Sequence, residues 1–133
     1  MKSEAFLLPL GIPSGTDLEF AVLGQGEYNL NYAFTHPVTG QKLVLRINTG
    51  SQMHLSDQIG YEYAALQALA PSGRTPKPLY CWPEQKMLVM EWLPGRALDY
   101  RTDMDIAAKI LADIHCTPVP ENCRLLRPAH PAK

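Results

Sequence analysis

Arg46 sits in the middle of "KLVLRINTG" (42–50), a stretch with strand composition, and Glu62 sits in "YEYAALQAL" (61–69), which carries helical periodicity. Each charge is costly among apolar neighbours unless it is paired or reaches water. Brought together, each would solve the other's problem. Arginine also presents a rigid fork of donors that binds phosphate oxygens bidentately and stays charged. Upstream, "LGQGEYNLNYAF" (23–34) places Gly24 and Gly26 at a tip between two strand candidates. There glycine permits positive φ and lets backbone N–H groups approach a ligand closely, so such a loop can cradle phosphate. Glycine loop, strand cation and helix carboxylate follow one another in that order.

Each feature also has a plainer reading. Glu62 at the edge of an apolar stripe reaches solvent on its two methylenes, Arg46 snorkels likewise, and a G-x-G is an ordinary hairpin turn. At 100° per residue from Leu55, the apolar positions Ile59, Tyr63, Leu66, Leu69 and Ala70 lie between about −40° and +80°, with Glu62 near −20°. That places Glu62 on the buried face and favours a meeting with Arg46.

The elements that must position these residues follow from periodicity. "LEFAVLG" (18–24), "LNYAFTH" (30–36) and "KLVLRIN" (42–48) read as strands, the last two joined through a turn at Thr39-Gly40. In the third, Leu43, Leu45 and Ile47 share one face, and Val44, Arg46 and Asn48 the other. "PLYCW" (78–82) and "KMLVMEW" (86–92) flank a turn at Pro83-Glu84-Gln85, and the five strands in succession imply an antiparallel meander. A first helix spans "LSDQIGYEYAALQAL" (55–69), with Ser51 or Ser56 as N-cap. A second spans "DMDIAAKILADIH" (103–115), opened by Asp103, with a stripe of Ile106, Ala107, Ile110, Leu111 and Ile114. The proline-rich tail after Pro118 reads as neither helix nor strand.

Composition narrows the rest. The 133 residues are enough for one domain with a core, and with net charge −1 and scattered basic residues the chain lacks the footprint of a nucleic-acid binder. Cys81, Cys116 and Cys123 form no C-x-x-C pair and read as reduced thiols. The N-terminus "MKSEAFLLPLGIPSG" fits a signal peptide poorly, and no apolar run approaches the roughly 20 residues that span a bilayer. The cytoplasm and no membrane partner are the expectation.

Taken in order, these elements resemble the N-terminal lobe of the aminoglycoside phosphotransferase and choline kinase family, a protein-kinase-like fold, from about Leu18 to Val119. "GEYNLNYAF" is similar to that family's G-x-x-N-x-x-Y loop, and "LVLRI" to its β3 segment with arginine in place of lysine. "YEYAALQAL" is similar to its αC segment, "LVMEWLPGRAL" to its hinge, and "AAKILADIHCTPV" to the helix ending in Leu-His or a close variant.

The resemblance implies an α+β kinase-like N-lobe over residues 1–95: a five-stranded, mostly antiparallel sheet with one packed αC-type helix. Residues 96–133 would be the hinge-following helix and irregular tail, the start of a C-terminal lobe. It also implies that Gly24, Gly26, Glu27, Tyr28 and Asn29 form a phosphate-covering loop pinned by the Asn29 amide. Val44 would line the adenine pocket, Arg46 contact the α- and β-phosphates, Glu62 orient Arg46, and Met90 close the back of the pocket. The Glu91 carbonyl and the Leu93 N–H would read the base.

The implied cofactor is ATP or GTP with Mg²⁺, and the implied acceptor a hydroxyl of an aminoglycoside, choline or similar molecule bound by a C-terminal lobe. The 133 residues contain no H-G-D-x-x-x-x-N catalytic loop: none of His36, His54, His115 and His130 is followed by aspartate at that spacing. The expectation is therefore an incomplete phosphotransferase, inactive alone, that binds nucleotide weakly or not at all and forms a homodimer through the Ile106–Ile114 face. The competing expectations are a non-catalytic binding or oligomerisation module with the same fold, and a plain α+β domain in which Arg46 and Glu62 form only a structural ion pair.

Overall fold

The computed structural model describes residues 5–26, 28–50 and 57–119. Five strands, β1 (Ala21–Gln25), β2 (Asn29–Thr35), β3 (Lys42–Asn48), β4 (Pro78–Trp82) and β5 (Met87–Glu91), form one antiparallel sheet in the order β1-β2-β3-β5-β4. Helix α1 (Gln58–Leu69) joins β3 to β4 and packs mainly on β4, and α2 (Met104–His115) follows the sheet. The α+β architecture is the one expected. The meander holds only for β1 to β3, because β5 and not β4 lies beside β3. Composition explains the exchange: β5 buries Leu88 and Val89 completely, whereas β4 opens on a proline and exposes Tyr80, which suits an edge.

Faces alternate as period two requires. Leu43 and Leu45 join Phe34, Trp82 and Val89 in the main core, which is closed by an N-terminal segment carrying Leu7, Ile12 and Leu18. This segment begins with a 3₁₀ turn over Ala5–Leu10, an element that its prolines concealed from periodicity. His36 fastens it. Its Nε2–H donates to the Leu10 carbonyl at 2.6 Å, while Nδ1 accepts from the Val38 and Thr39 N–H groups at 3.1 and 3.2 Å. Two donors aimed at Nδ1 require the neutral Nε2–H tautomer.

Several boundaries move. β1 starts at Ala21 rather than Leu18, because Leu18 turns into the core. Lys86, expected in β5, adopts φ 57° in the preceding turn. Gly40 takes φ +74° in the β2–β3 turn, where its N–H bonds the His36 carbonyl. The N-cap of α1 is Asp57, whose Oδ1 accepts the Gly60 N–H at 2.9 Å; Ser51 and Ser56 lie outside the described residues.

Nor does α1 bury a stripe. Gln58, Ile59 and Gly60 are buried, Tyr63, Leu66 and Leu69 are half-buried, and Ala70 is exposed in a short 3₁₀ turn. Apolar and small side chains occur all round this helix, so no single face is driven inward. Among the described residues no helix is long and apolar enough to cross a membrane. Cys81 is half-buried and Cys116 exposed, neither of them in a disulfide, and Cys123 and the rest of the tail after Val119 lie outside the described residues.

Candidate functional site

The face of the sheet opposite the main core carries the residues singled out by type. Arg46 on β3 stands between Asn31 on β2 and Leu88 on β5 in register. Its Nη1 donates to Glu62 Oε2 on α1 at 3.1 Å, and its Nε donates to Asn31 Oδ1 at 3.0 Å. A guanidinium has no acceptor, so the Asn31 amide must present its oxygen here. The two charges therefore meet as their spacing implied, but the Arg46 and Glu62 side chains remain 30 % and 23 % exposed. They are half-buried, not buried, since Glu62 projects from a helix that leans on β4 and leaves the pair at its open side.

The glycine loop is the tight connection between β1 and β2. The Gly26 N–H closes it on the Asn29 carbonyl at 2.9 Å, and Glu27 lies outside the described residues. Neither Gly24 nor Gly26 has positive φ, contrary to the conformational role expected of them. Gly24 lies within β1 at a register shift, and a Cβ built there meets nothing within 4 Å; one on Gly26 approaches only the Asn29 carbonyl, at 3.9 Å. What these glycines supply is open space above the backbone, which close approach of a ligand requires.

The loop is anchored from below. Asn48 Nδ2 donates to the Tyr28 carbonyl at 3.2 Å and to Asn29 Oδ1 at 3.3 Å, and the Thr49 N–H donates to the Tyr28 carbonyl at 2.7 Å. The Asn29 amide thus pins the loop by accepting from Asn48. The Tyr28 ring lies against Gly50, 3.1 Å from where a Cβ would stand, and props the loop from this side.

Towards the other end of the same face the ladder becomes apolar. Ala33, Val44 and Met90 pair in one row, with Val44 and Met90 buried. A cavity of about 630 Å³ is lined by Ala21, Leu23, Ala33, Thr35, Lys42 and Trp92, and reaches round the start of β1. Val44 and Met90 do not line it themselves; they back its Ala33 wall one and two strands inward. Lys42 Nζ stands 4.5 Å over the Trp92 ring, and the Trp92 N–H bonds the Lys42 carbonyl. Glu91 closes β5 with its N–H on the Lys77 carbonyl and its carboxylate on the Lys77 N–H, and Leu93 follows, about half exposed. A second cavity, about 700 Å³, lies over the opposite face between Phe20, Tyr32, Leu45 and Ile47. Its lining is mostly apolar, and among the described residues that line it the one charged side chain is that of Glu19.

Beyond Leu93 the chain is organised by one carboxylate. Arg96 grips Asp103 bidentately, Nη1 to Oδ2 at 2.6 Å and Nη2 to Oδ1 at 2.8 Å, and the Asp99 N–H donates to Oδ2 at 2.8 Å. Asp103 thus occupies the N-cap position of α2 without capping it, because its oxygens face back along the chain. The Arg96 hydrogen bonds, then that from Asp99, hold the Asp103 carboxyl well below the usual carboxylate range, and the Arg96 guanidinium is pushed up in return. Arg74, after α1, bonds Asp113 of α2 at 2.8 Å. The α2 stripe divides: Ala107, Ile110 and Ile114 are half-buried, while Ile106 and Leu111 are more than half exposed.

Type and spacing did not single out Asn31, Asn48 or the Arg96–Asp103 clip. Two amides at Asn29 and Asn31, on one face of a strand, were the available signal for the first. Among the described residues no cluster of three or more His, Cys, Asp or Glu side chains is placed to hold a metal ion. No curated protein and no solved structure matches the chain. A family model, by contrast, matches residues 19–133, a span that holds all five strands and both α-helices. The five-stranded antiparallel sheet with its helices agrees with that match, and the chain belongs to the phosphotransferase enzyme family.

Proposed function

We propose that this chain supplies the nucleotide-binding lobe of a small-molecule phosphotransferase, which moves the γ-phosphate of ATP or GTP to a hydroxyl of an aminoglycoside, choline or similar metabolite. The observation that carries this reading is the gradient along one sheet face. Next to the glycine loop it is polar and cationic, with Asn31 and Arg46. One row on, about 7 Å along the strands, it is apolar, with Ala33, Val44 and Met90. A nucleotide has the same polarity, phosphates at one end and a flat base at the other.

On this reading Arg46, steadied by Glu62, contacts the α- and β-phosphates, and the loop from Gly24 to Asn29 covers them. The segment Glu91–Leu93 reads the base through backbone groups. Magnesium bound with the nucleotide would neutralise phosphate charge. The acceptor oxygen attacks the γ-phosphorus, the bond to the β–γ bridging oxygen breaks, and the hydroxyl proton passes to a base. The H-G-D loop that supplies such a base in the family is not among these 133 residues, so the chain alone is proposed to be inactive and residues 96–133 to begin a second lobe. The proposed compartment is the cytoplasm, where nucleoside triphosphates and reduced thiols occur together.

Calorimetric titration with ATP and with GTP, each with and without Mg²⁺, tests the reading. Binding at millimolar nucleotide, lost in Arg46→Ala, is expected. No heat and no thermal shift at that concentration would sink it.

A second reading, a non-catalytic oligomerisation module, is favoured by the exposed Met104, Ile106 and Leu111 on α2. It requires a homodimer through that face. Solution scattering at moderate concentration should then give twice the monomer mass, reverting to one in Ile106→Glu; a monodisperse monomer counts against it.

A further inference from the structure

Strand β2 carries two asparagines, Asn29 and Asn31, on the face it shares with Ala33. Asparagine is a poor strand former, so an amide in the middle of a paired ladder calls for an explanation. The Asn29 oxygen accepts from Asn48, which stands directly opposite it. The Asn31 oxygen accepts Nε–H of Arg46, also directly opposite. Among the described residues, the Asn31 Nδ2 group and Arg46 Nη2 have no hydrogen-bond partner.

We infer that Asn31 is a positioning residue for Arg46, fixing the plane of the guanidinium so that its remaining donors are presented to a polyphosphate. Held by Glu62 alone, the guanidinium would be tethered at one nitrogen and free to pivot about that contact. The Asn31 tether on Nε adds a second fixed point. Together the two anchors occupy Nε–H and one Nη1 proton, and leave Nη2 and the second Nη1 proton for an anion. An amide suits the task better than a second carboxylate, because it holds the group without neutralising the charge that attracts phosphate. The identity of the anion rests on the nucleotide reading above; the tether does not.

Two measurements on the full chain separate these claims. Binding of Mg²⁺–ATP and of adenosine is compared by calorimetry in the unmodified chain and in Asn31→Ala. The exchange of the Arg46 Nε–H with water is followed by ¹⁵N NMR in both, without ligand. The expected result is an ATP affinity about tenfold weaker in Asn31→Ala, as for loss of one charge-assisted hydrogen bond, with adenosine affinity unchanged and Nε–H exchange accelerated. Equal loss of ATP and adenosine affinity would show general damage to the site and overturn the proposal, and so would undiminished ATP affinity. If the unmodified chain binds neither ligand, the nucleotide reading fails while the NMR arm decides the tether: faster exchange upholds it, unchanged exchange removes it. Where Asn31→Ala does not fold, Asn31→Thr keeps strand propensity but shortens the reach to Nε, and the same outcomes apply.

Discussion

Glu62 on α1 accepts a hydrogen bond from Nη1 of Arg46 on β3 at 3.1 Å, and both side chains keep between a fifth and a third of their surface in contact with solvent. Partial exposure decides what the pair contributes. A fully buried pair broken on one side costs about 3–5 kcal/mol, whereas exposed pairs couple by about 0.2–1 kcal/mol and are screened by salt. A double-mutant cycle with Arg46→Ala and Glu62→Ala, read by urea unfolding, should therefore give a coupling near 1 kcal/mol that shrinks in molar salt. Coupling indistinguishable from zero would mean that the contact does not hold in solution. Coupling above about 3 kcal/mol would mean that it is far drier than the geometry indicates.

The glycines of the loop region should separate by what surrounds them. Gly24 lies in β1 with open space where a Cβ would be and no positive φ, so Gly24→Val should leave stability unchanged or slightly raised. The same substitution fills the space proposed for phosphate oxygens and should weaken ATP binding; equal affinity would move the phosphates elsewhere. Gly50 is the opposite case, because its Cβ would stand 3.1 Å from Tyr28 Cδ1. Gly50→Ala should destabilise by about 1 kcal/mol, and less than that in a Tyr28→Ala background, since the clash needs the ring.

At the start of α1 the sign of one substitution should depend on another. Gly60 is a helical glycine, and replacing such a residue by alanine ordinarily stabilises by about 0.5–1 kcal/mol. Here the Asp57 carboxylate, accepting the Gly60 N–H at 2.9 Å, occupies the place a Cβ on residue 60 would take. Gly60→Ala should thus be destabilising in the unmodified chain and stabilising once Asp57→Ala has removed the cap, itself a loss of about 1 kcal/mol. Urea midpoints of the two single variants and the double variant check this; stabilisation by Gly60→Ala in both backgrounds would show that the cap does not occupy that space.

The sheet and the Arg46–Glu62 contact were legible because period two and period 3.6 place side chains on faces without tertiary information. The position of β5 between β3 and β4 was not, since strand order depends on which strand buries both faces. The role of Gly24 was misjudged for a related reason: glycine type alone does not distinguish a need for positive φ from a need for space. Asn31, and the pairing of Asp103 with Arg96, were missed because an amide and a carboxylate acquire meaning from the residue they meet. For Asp103 that residue, Arg96, becomes its partner only through the turn at Asp99–Asp103. The 3₁₀ turn at Ala5–Leu10 was hidden by Pro9 in a run that carries no period.

The Arg96–Asp103 clip predicts a specific acid sensitivity. The Asp103 side chain is only 4 % exposed beneath an arginine that is itself 68 % exposed, and hydrogen bonds from Arg96 and from the Asp99 N–H favour its ionised form. A carboxyl whose folded pKa lies below its unfolded value contributes stability that is complete above the ordinary carboxylate range. That contribution is lost as pH falls through the folded value. Stability measured by urea unfolding should therefore be flat in this contribution from neutral pH down to about pH 5 and should decline progressively below about pH 4. Asp103→Asn keeps the shape but not the charge, so it should be less stable than the unmodified chain at pH 7, with the difference closing at the acid end. Parallel stability curves for the two chains down to the acid transition would show that the clip does not order the segment between the sheet and α2.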